Sequence, residues 1–320
     1  MALSEFNLLT SLAALAYNRY RMINRERWYR RVIAKKQSTS IPGFFDSYPR
    51  FLETSQIESL SQINYRHRYM IERNTALIKG QRILDIASHD GRFSFAAAKA
   101  GAYYVRGIEA RPHLVRAAVQ NMEAYGAQNV EFMCGDVLAQ LEQINEPFDT
   151  IFCFGFPYHT LDHMPLLRKI ARLRPKCMIL DTEISLHPES VIEVREEGVK
   201  LDIQGTTGEP GDPDRTIVGS PSRTALNTML KACGFTHLEY LDWHALKIDS
   251  WNDIKSYYVG QRTTVTAYRK IPYIVVTNSP PTAEPNRFGE SLATAAGAAC
   301  HHLHADLHPV RVRHAWDDTG

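Results

Sequence analysis

The chain has 320 residues, 44% of them hydrophobic, and a formal net charge of +2 at pH 7. That length supports one sizeable core with appendages or two small domains, and near-neutrality gives no global reason to expect nucleic acid. The five cysteines, Cys134, Cys153, Cys177, Cys233 and Cys300, are widely spaced with no CxxC pair. They suit reduced thiols in a cytosolic protein and argue against a disulfide framework or a zinc site.

Residues 1–40 predict one or two helices, apolar first and basic second. Phe6 to Ala16 is apolar but falls short of the ~20 residues needed to cross a bilayer. It also lacks a preceding basic residue and a small-residue cleavage site, so neither a transmembrane segment nor a signal peptide is expected. Arg19, Arg21, Arg25, Arg27, Arg30, Arg31, Lys35 and Lys36 form a basic run opposed by Glu26 alone. A solvated helix face is the plain reading, and contact with RNA or an anionic membrane surface is the alternative. Residues 41–69 carry Phe44, Phe45, Tyr48, Tyr65 and Tyr69. They read either as a lid over the mouth of the following domain or as ordinary core, and 1–69 is assigned to an N-terminal helical or lid region.

From residue 82 strands alternate with helices, which predicts an α/β fold with a parallel sheet covered on both faces. Ile83, Leu84 and Ile86 around Asp85 form a buried strand. The small turn Ala87-Ser88-His89-Asp90-Gly91 follows, then a helix that stops near Gly101. Tyr104 to Ile108 returns as a second strand and delivers Glu109. Pro112 opens a helix ended by Gly126, and Val130 to Met133 is a third strand before Cys134-Gly135-Asp136. Thr150 to Phe154 is a fourth, ending in Gly155-Phe156-Pro157-Tyr158-His159. Leu161 to Leu173 is helical, and Cys177 to Ile184 is a fifth strand.

The pattern lapses at 185–221, a Gly/Pro-rich insertion of a length that is uncommon in a compact domain unless it serves function or is mobile. Ser222 caps a helix to Ala232. Phe235 to Trp243 and Thr263 to Arg269 are the last strands, within a domain assigned to 70–275. From 278 the composition turns to Pro, Ala and His, with His301, His302, His304, His308 and His314, and predicts a disordered tail.

An acid about 20 residues past the turn that follows the first strand can hold ribose hydroxyls beyond the carboxyl ends of a doubly wound sheet. The order strand–turn–Gly, acid after the second strand and Gly-Asp after the third resembles the class I S-adenosylmethionine-dependent methyltransferases over roughly residues 70–270. The resemblance implies a Rossmann-like seven-stranded sheet, mostly parallel with one antiparallel strand, and S-adenosyl-L-methionine as cofactor. It places Asp85 and the turn Ala87, Ser88, His89 and Gly91 near the methionine end. Glu109, with Ala110 beside it, takes the ribose, Asp136 and Val137 take the adenine, and Phe154 borders the methyl donor. The usual acid-x-G-x-G-x-G turn retains its last glycine alone. That weakens a dinucleotide reading, because a pyrophosphate must lie against bare backbone.

Ile83 to Phe95, Tyr158-His159 and Pro221-Ser222-Arg223 are also similar to a subfamily that holds the tRNA wobble-uridine carboxymethyl-transferring enzymes and small-molecule methyltransferases. His159 is the leading general base, with His163 second, since an imidazole titrates near neutral pH. Tyr158 and Arg223 are assigned to substrate binding. Asp181 and Glu183 with His159 and His163 have the chemistry to hold a divalent cation, as do the tail histidines, but plain strand-end acids and incidental composition look the same, and no metal is assigned. The expected activity is methyl transfer to an oxygen of a small molecule. An RNA-modifying enzyme and a non-catalytic cofactor-binding protein are the rivals.

Overall fold

The computed structural model describes residues 42–55, 59–199 and 214–269. The expected basic N-terminal helices, Cys300 and the His-rich tail lie outside them. The strands are β1 Arg82–Ile86, β2 Tyr104–Glu109, β3 Val130–Cys134, β4 Thr150–Phe154, β5 Cys177–Glu183, β6 Ile192–Gly198, β7 Arg215–Pro221, β8 Phe235–Tyr240 and β9 Arg262–Arg269. The α-helices are α1 Arg50–Ser55, α2 Leu60–Arg66, α3 Arg92–Lys99, α4 Pro112–Ala124, α5 Val137–Gln143, α6 His163–Arg172, α7 Arg223–Ala232 and α8 Lys255–Tyr258.

Seven strands form one sheet in the order β3-β2-β1-β4-β5-β9-β8. β1 pairs in parallel with β2 and β4, and β5 with β4. β9 runs antiparallel to both β5 and β8, so the expected doubly wound sheet with one reversed strand is present. The order reverses between β1 and β4, and ligands of open α/β sheets bind beyond the carboxyl ends of the strands at such a point.

Each strand feeds both faces, because successive side chains point opposite ways. Leu84, Ile86, Ile151, Cys153, Met178 and Leu180 join Leu141, Leu166, Leu167, Ile170, Leu226 and Leu230 of α5, α6 and α7 in one core. Ile83, Val105, Phe152, Phe154 and Ile179 join Phe93, Phe95 and Met122 of α3 and α4 in the other. Phe45 and Phe51 are fully buried in that second core. Of the two readings of residues 41–69, core packing is what these rings do. α1 stacks Phe51 at 5.2 Å from Phe95 and 5.7 Å from Tyr125.

Three details differ from the expectation. The insertion at 185–221 is not without regular structure: β6 and β7 pair antiparallel from Ile192↔Pro221 to Gly198↔Arg215. Its glycines and prolines masked the alternation of Ile192 and Val194 with Glu193 and Arg195. The helix α5 follows Asp136 directly. The helix expected from Leu161 starts at His163, with His159 on a separate 3-10 turn, Pro157–His159. Among the described cysteines, Cys134 is exposed and Cys153, Cys177 and Cys233 are buried as free thiols.

Candidate active site

The turn after β1 departs from glycine in sequence but not in backbone. Ala87, His89 and Gly91 have φ of 55°, 56° and 78°, the left-handed region, at the three alternate positions where glycine was expected. A side chain in that region is strained by of order 1 kcal/mol or more, so the surroundings must hold the turn in shape. They do. Ser88 donates its amide to the Ile108 carbonyl at 2.9 Å, and the His89 amide donates to Glu109 Oε2 at 3.0 Å. From the other side, Asp90 Oδ2 accepts from Thr54 Oγ1 at 2.7 Å, and Arg92 Nη1 donates to Asp90 Oδ1 at 2.8 Å.

The His89 ring lies under this network. Arg92 Nη1 donates to its Nδ1 at 3.0 Å. Burial first, and Arg92 second, hold the imidazole below its ordinary titration range. It is therefore neutral at pH 7, and its 3.5 Å approach to Asp90 is not an ion pair. Arg92 holds the Asp90 carboxyl well below the usual range against the opposing cost of its burial.

Close packing behind the turn explains two glycines. A Cβ on Gly107 of β2 would lie 2.5 Å from Phe132 Cδ1 and 2.6 Å from Ser88 Oγ. One on Gly91 would lie 2.7 Å from Phe132 Cζ.

Three carboxylates sit at the ends of neighbouring strands. Asp85, near the end of β1, is 2% exposed and accepts from Ser94 Oγ at 2.6 Å. Burial pushes its carboxyl up to about 7, with Ser94 and Arg92 opposing. Glu109 closes β2; its Oε1 accepts from the Arg111 amide at 3.0 Å and Nε at 2.8 Å. Ala110 follows it in the turn to α4. Asp136, exposed beyond β3, caps α5 through Oδ1 to the Ala139 amide at 2.9 Å. Val137 is buried with Ile108 in the core rather than lining a surface. Phe154 closes β4, stacked on Phe152 at 4.8 Å and edge-on to Phe93 at 5.2 Å.

Beyond β4, Gly155 turns with φ 83° beneath two guanidinium groups. Arg262 Nε and Arg66 Nη2 both donate to Asp181 Oδ1, at 2.7 and 3.1 Å. Tyr257 and Thr264 donate to Oδ2 at 2.8 and 2.6 Å. Asp181 is fully buried. With its oxygens committed to these donors, it is not placed with His159, His163 and Glu183 as a cation site. No group of three potential ligands stands together among the described residues.

The candidate bases separate. His159 is 9% exposed, and its Nδ1 lies 3.1 Å from Glu197 Oε2 on β6. Among the described residues no protein atom hydrogen-bonds its Nε2. The Tyr158 ring packs at 4.1 Å, and Arg262 reaches the Tyr158 hydroxyl at 3.5 Å. His163 instead lies under the ribbon, its Nε2 donating to the Gly219 carbonyl at 3.0 Å, with Nδ1 buried and unpaired. Arg223, at the start of α7, lies 4.4 Å over the Tyr240 ring of β8 and donates from Nη2 to Thr263 Oγ1 of β9 at 3.4 Å. The sequence reading did not include Arg66, Glu197 or Arg262.

Residues 83–176 match a family model described as a methyltransferase domain. The chain thus carries a match to a methyltransferase domain over those residues. A ubiquinone biosynthesis O-methyltransferase of Neisseria meningitidis is 24% identical to the chain over 143 residues, 44% of this chain and 60% of the relative. The chain thus spans about 60% of the length of the curated relatives it matches. Among solved structures, the N-terminal domain of EvdMO1, determined in the presence of SAH and D-fucose, has a TM-score of 0.47 and 22% identity. That similarity covers 64% of this chain and 82% of the other. The PH0226 protein of Pyrococcus horikoshii OT3 has a TM-score of 0.46 at 17% identity, over 71% and 100% of the two chains.

Acceptor oxygens stand at the ends of three neighbouring strands. Glu109 offers a carboxylate at the end of β2, Asp85 a buried carboxyl with one side-chain partner, and Asp136 an oxygen left over from capping. No helix among the described residues is long and apolar enough to cross a membrane.

Proposed function

We propose that the chain transfers the methyl group of S-adenosyl-L-methionine to an oxygen of a small-molecule acceptor. The observation that carries this reading is the left-handed backbone at Ala87, His89 and Gly91 with the His89 amide on Glu109. It builds a turn for close approach of a nucleoside next to a carboxylate able to accept from ribose hydroxyls. The one cation at the start of α3, Arg92, is committed to Asp90, which suits a cofactor without phosphate.

The bound cofactor supplies an electrophilic methyl on a sulfonium. Asp85 offers its carboxyl to the methionine ammonium, Glu109 holds the ribose, and the free oxygen of Asp136 accepts from the adenine amine. His159, at the end of β4, is the base that receives the acceptor's proton. The similarity to an O-methyltransferase supports oxygen as the acceptor atom. Much of the rate enhancement in such a displacement comes from holding the reacting atoms in line.

Incubating the protein with methyl-labelled S-adenosylmethionine and a cell extract tests the acceptor class. Label is expected in the solvent-extractable small-molecule fraction. Label confined to RNA would replace this reading with nucleic-acid modification.

A further inference from the structure

The ribbon β6–β7 reaches the candidate base with a carboxylate that no sequence pattern marked. Glu197 and the imidazole of His159 are both largely buried, with side-chain exposures of 14% and 9%, and their Oε2 and Nδ1 atoms are 3.1 Å apart. The His159 hydrogen bond holds the Glu197 carboxyl below its usual range, so it is an anion at neutral pH.

The ribbon is fixed against this turn. His163 Nε2 donates to the Gly219 carbonyl on β7, and Gly219 pairs with Val194 three residues before Glu197. A Cβ on Gly219 would lie 2.7 Å from both Ile192 and Leu161, so ribbon and turn are in close contact there.

We propose that Glu197 is a positioning residue. It keeps the His159 proton on Nδ1 and leaves Nε2 as proton acceptor for a hydroxyl that is still protonated when it binds. The acceptor class is therefore a neutral alcohol or phenol, an inference that rests on the methyl-transfer reading above. A carboxylate accepts hydrogen bonds and donates none when ionised, so Nδ1 must carry the proton that faces it. The same logic orients histidine in hydrolase triads, where a buried acid sets the tautomer and stabilises the imidazolium that forms.

A C–O bond forms as the S–C bond breaks, and that electron pair stays on sulfur. The O–H proton passes to Nε2, and Glu197 offsets the resulting imidazolium until the proton leaves to water. Other charged groups face the pair. Arg195 Nη2 lies 4.0 Å from Glu197 Oε2 and is tethered by Nη1 to Ser220, while Arg262 approaches through the Tyr158 hydroxyl. Neither competes for Nδ1.

The test uses the full chain with phenol and 4-nitrophenol as acceptors, the second being ionised near neutral pH. Glu197→Ala should lower kcat on phenol about a hundredfold, the scale of general-base assistance, with less than about a fivefold loss on 4-nitrophenol. Nitrogen-15 spectra of histidine-labelled protein should show the Nδ1–H tautomer at His159 in the wild type and its loss in Glu197→Ala. Equal losses on both phenols, or an Nε2–H tautomer in the wild type, would overturn the positioning role. No turnover of phenol by protein that binds S-adenosylmethionine would overturn the acceptor class. Failure of the wild type to bind that cofactor, read by calorimetry, would instead sink the methyl-transfer reading itself.

Discussion

The amide of His89 donates to Oε2 of Glu109 at 3.0 Å across the two strand ends that border the turn. This bond exists because His89 adopts φ 56°, the conformation a glycine would supply there. Glu109 thus receives a fixed main-chain donor on one oxygen and Arg111 on the other. Glu109→Gln replaces an ionised acceptor with a neutral amide. It should weaken S-adenosylmethionine binding about tenfold, the worth of one charge-assisted hydrogen bond. An unchanged dissociation constant would remove Glu109 from the ribose role.

The left-handed turn makes a prediction of opposite sign at Ala87. Ala87→Gly relieves backbone strain but frees the unfolded chain, so stability should move by less than about 1 kcal/mol. Ala87→Val puts a β-branched side chain at φ 55° and should cost about 1–3 kcal/mol. Denaturant unfolding of the pair measures the contrast. Comparable losses in both would show that the turn is not held left-handed.

Asp85 links the site to pH. Burial raises its folded pKa from the ordinary 3.8 to about 7. The folded state therefore holds a proton that the unfolded chain has lost between those values. Its contribution to stability is complete below about pH 4 and disappears as pH rises through about 7. Asp85→Asn should flatten this decline, removing a pH dependence on the order of a few kcal/mol between pH 4 and 8. Cofactor affinity should rise over the upper part of the same window in the wild type, because an ionised Asp85 attracts an ammonium group. Parallel stability–pH curves for wild type and variant would contradict this.

Asp181 gathers two guanidinium groups and two hydroxyls with no exposed surface. Asp181→Asn leaves Arg66 and Arg262 buried without their shared counter-charge. Removing one partner of a buried ion pair costs about 3–5 kcal/mol. Thermal unfolding should show a loss of that size, whereas a loss below about 1 kcal/mol would mean the cluster is solvated.

The sheet and the turn after β1 were legible in the sequence, while the groups around Asp181 and His159 were not, and the difference is one of range. Asp85, the turn and Glu109 lie within one strand–turn–helix–strand unit, where apolar periodicity and helix punctuation act locally. Arg66 and Arg262 meet Asp181 from 115 and 81 residues away, and neither carries a local pattern. Glu197 lies in the run Glu193-Val194-Arg195-Glu196-Glu197, which reads as a solvated strand. Only the ribbon's register, which sets Glu197 opposite Thr216, turns it inward. His163 lies apart from His159 for a similar reason. Its helix begins at that residue, so it turns beneath β7 rather than sharing a face with His159.

Binding of S-adenosylmethionine by this turn and its carboxylates is read by isothermal titration of the full chain with that ligand. Saturable binding at one site per chain, weakened by Glu109→Gln, is expected. Absence of detectable heat at millimolar ligand, from protein shown to be folded, would contradict it.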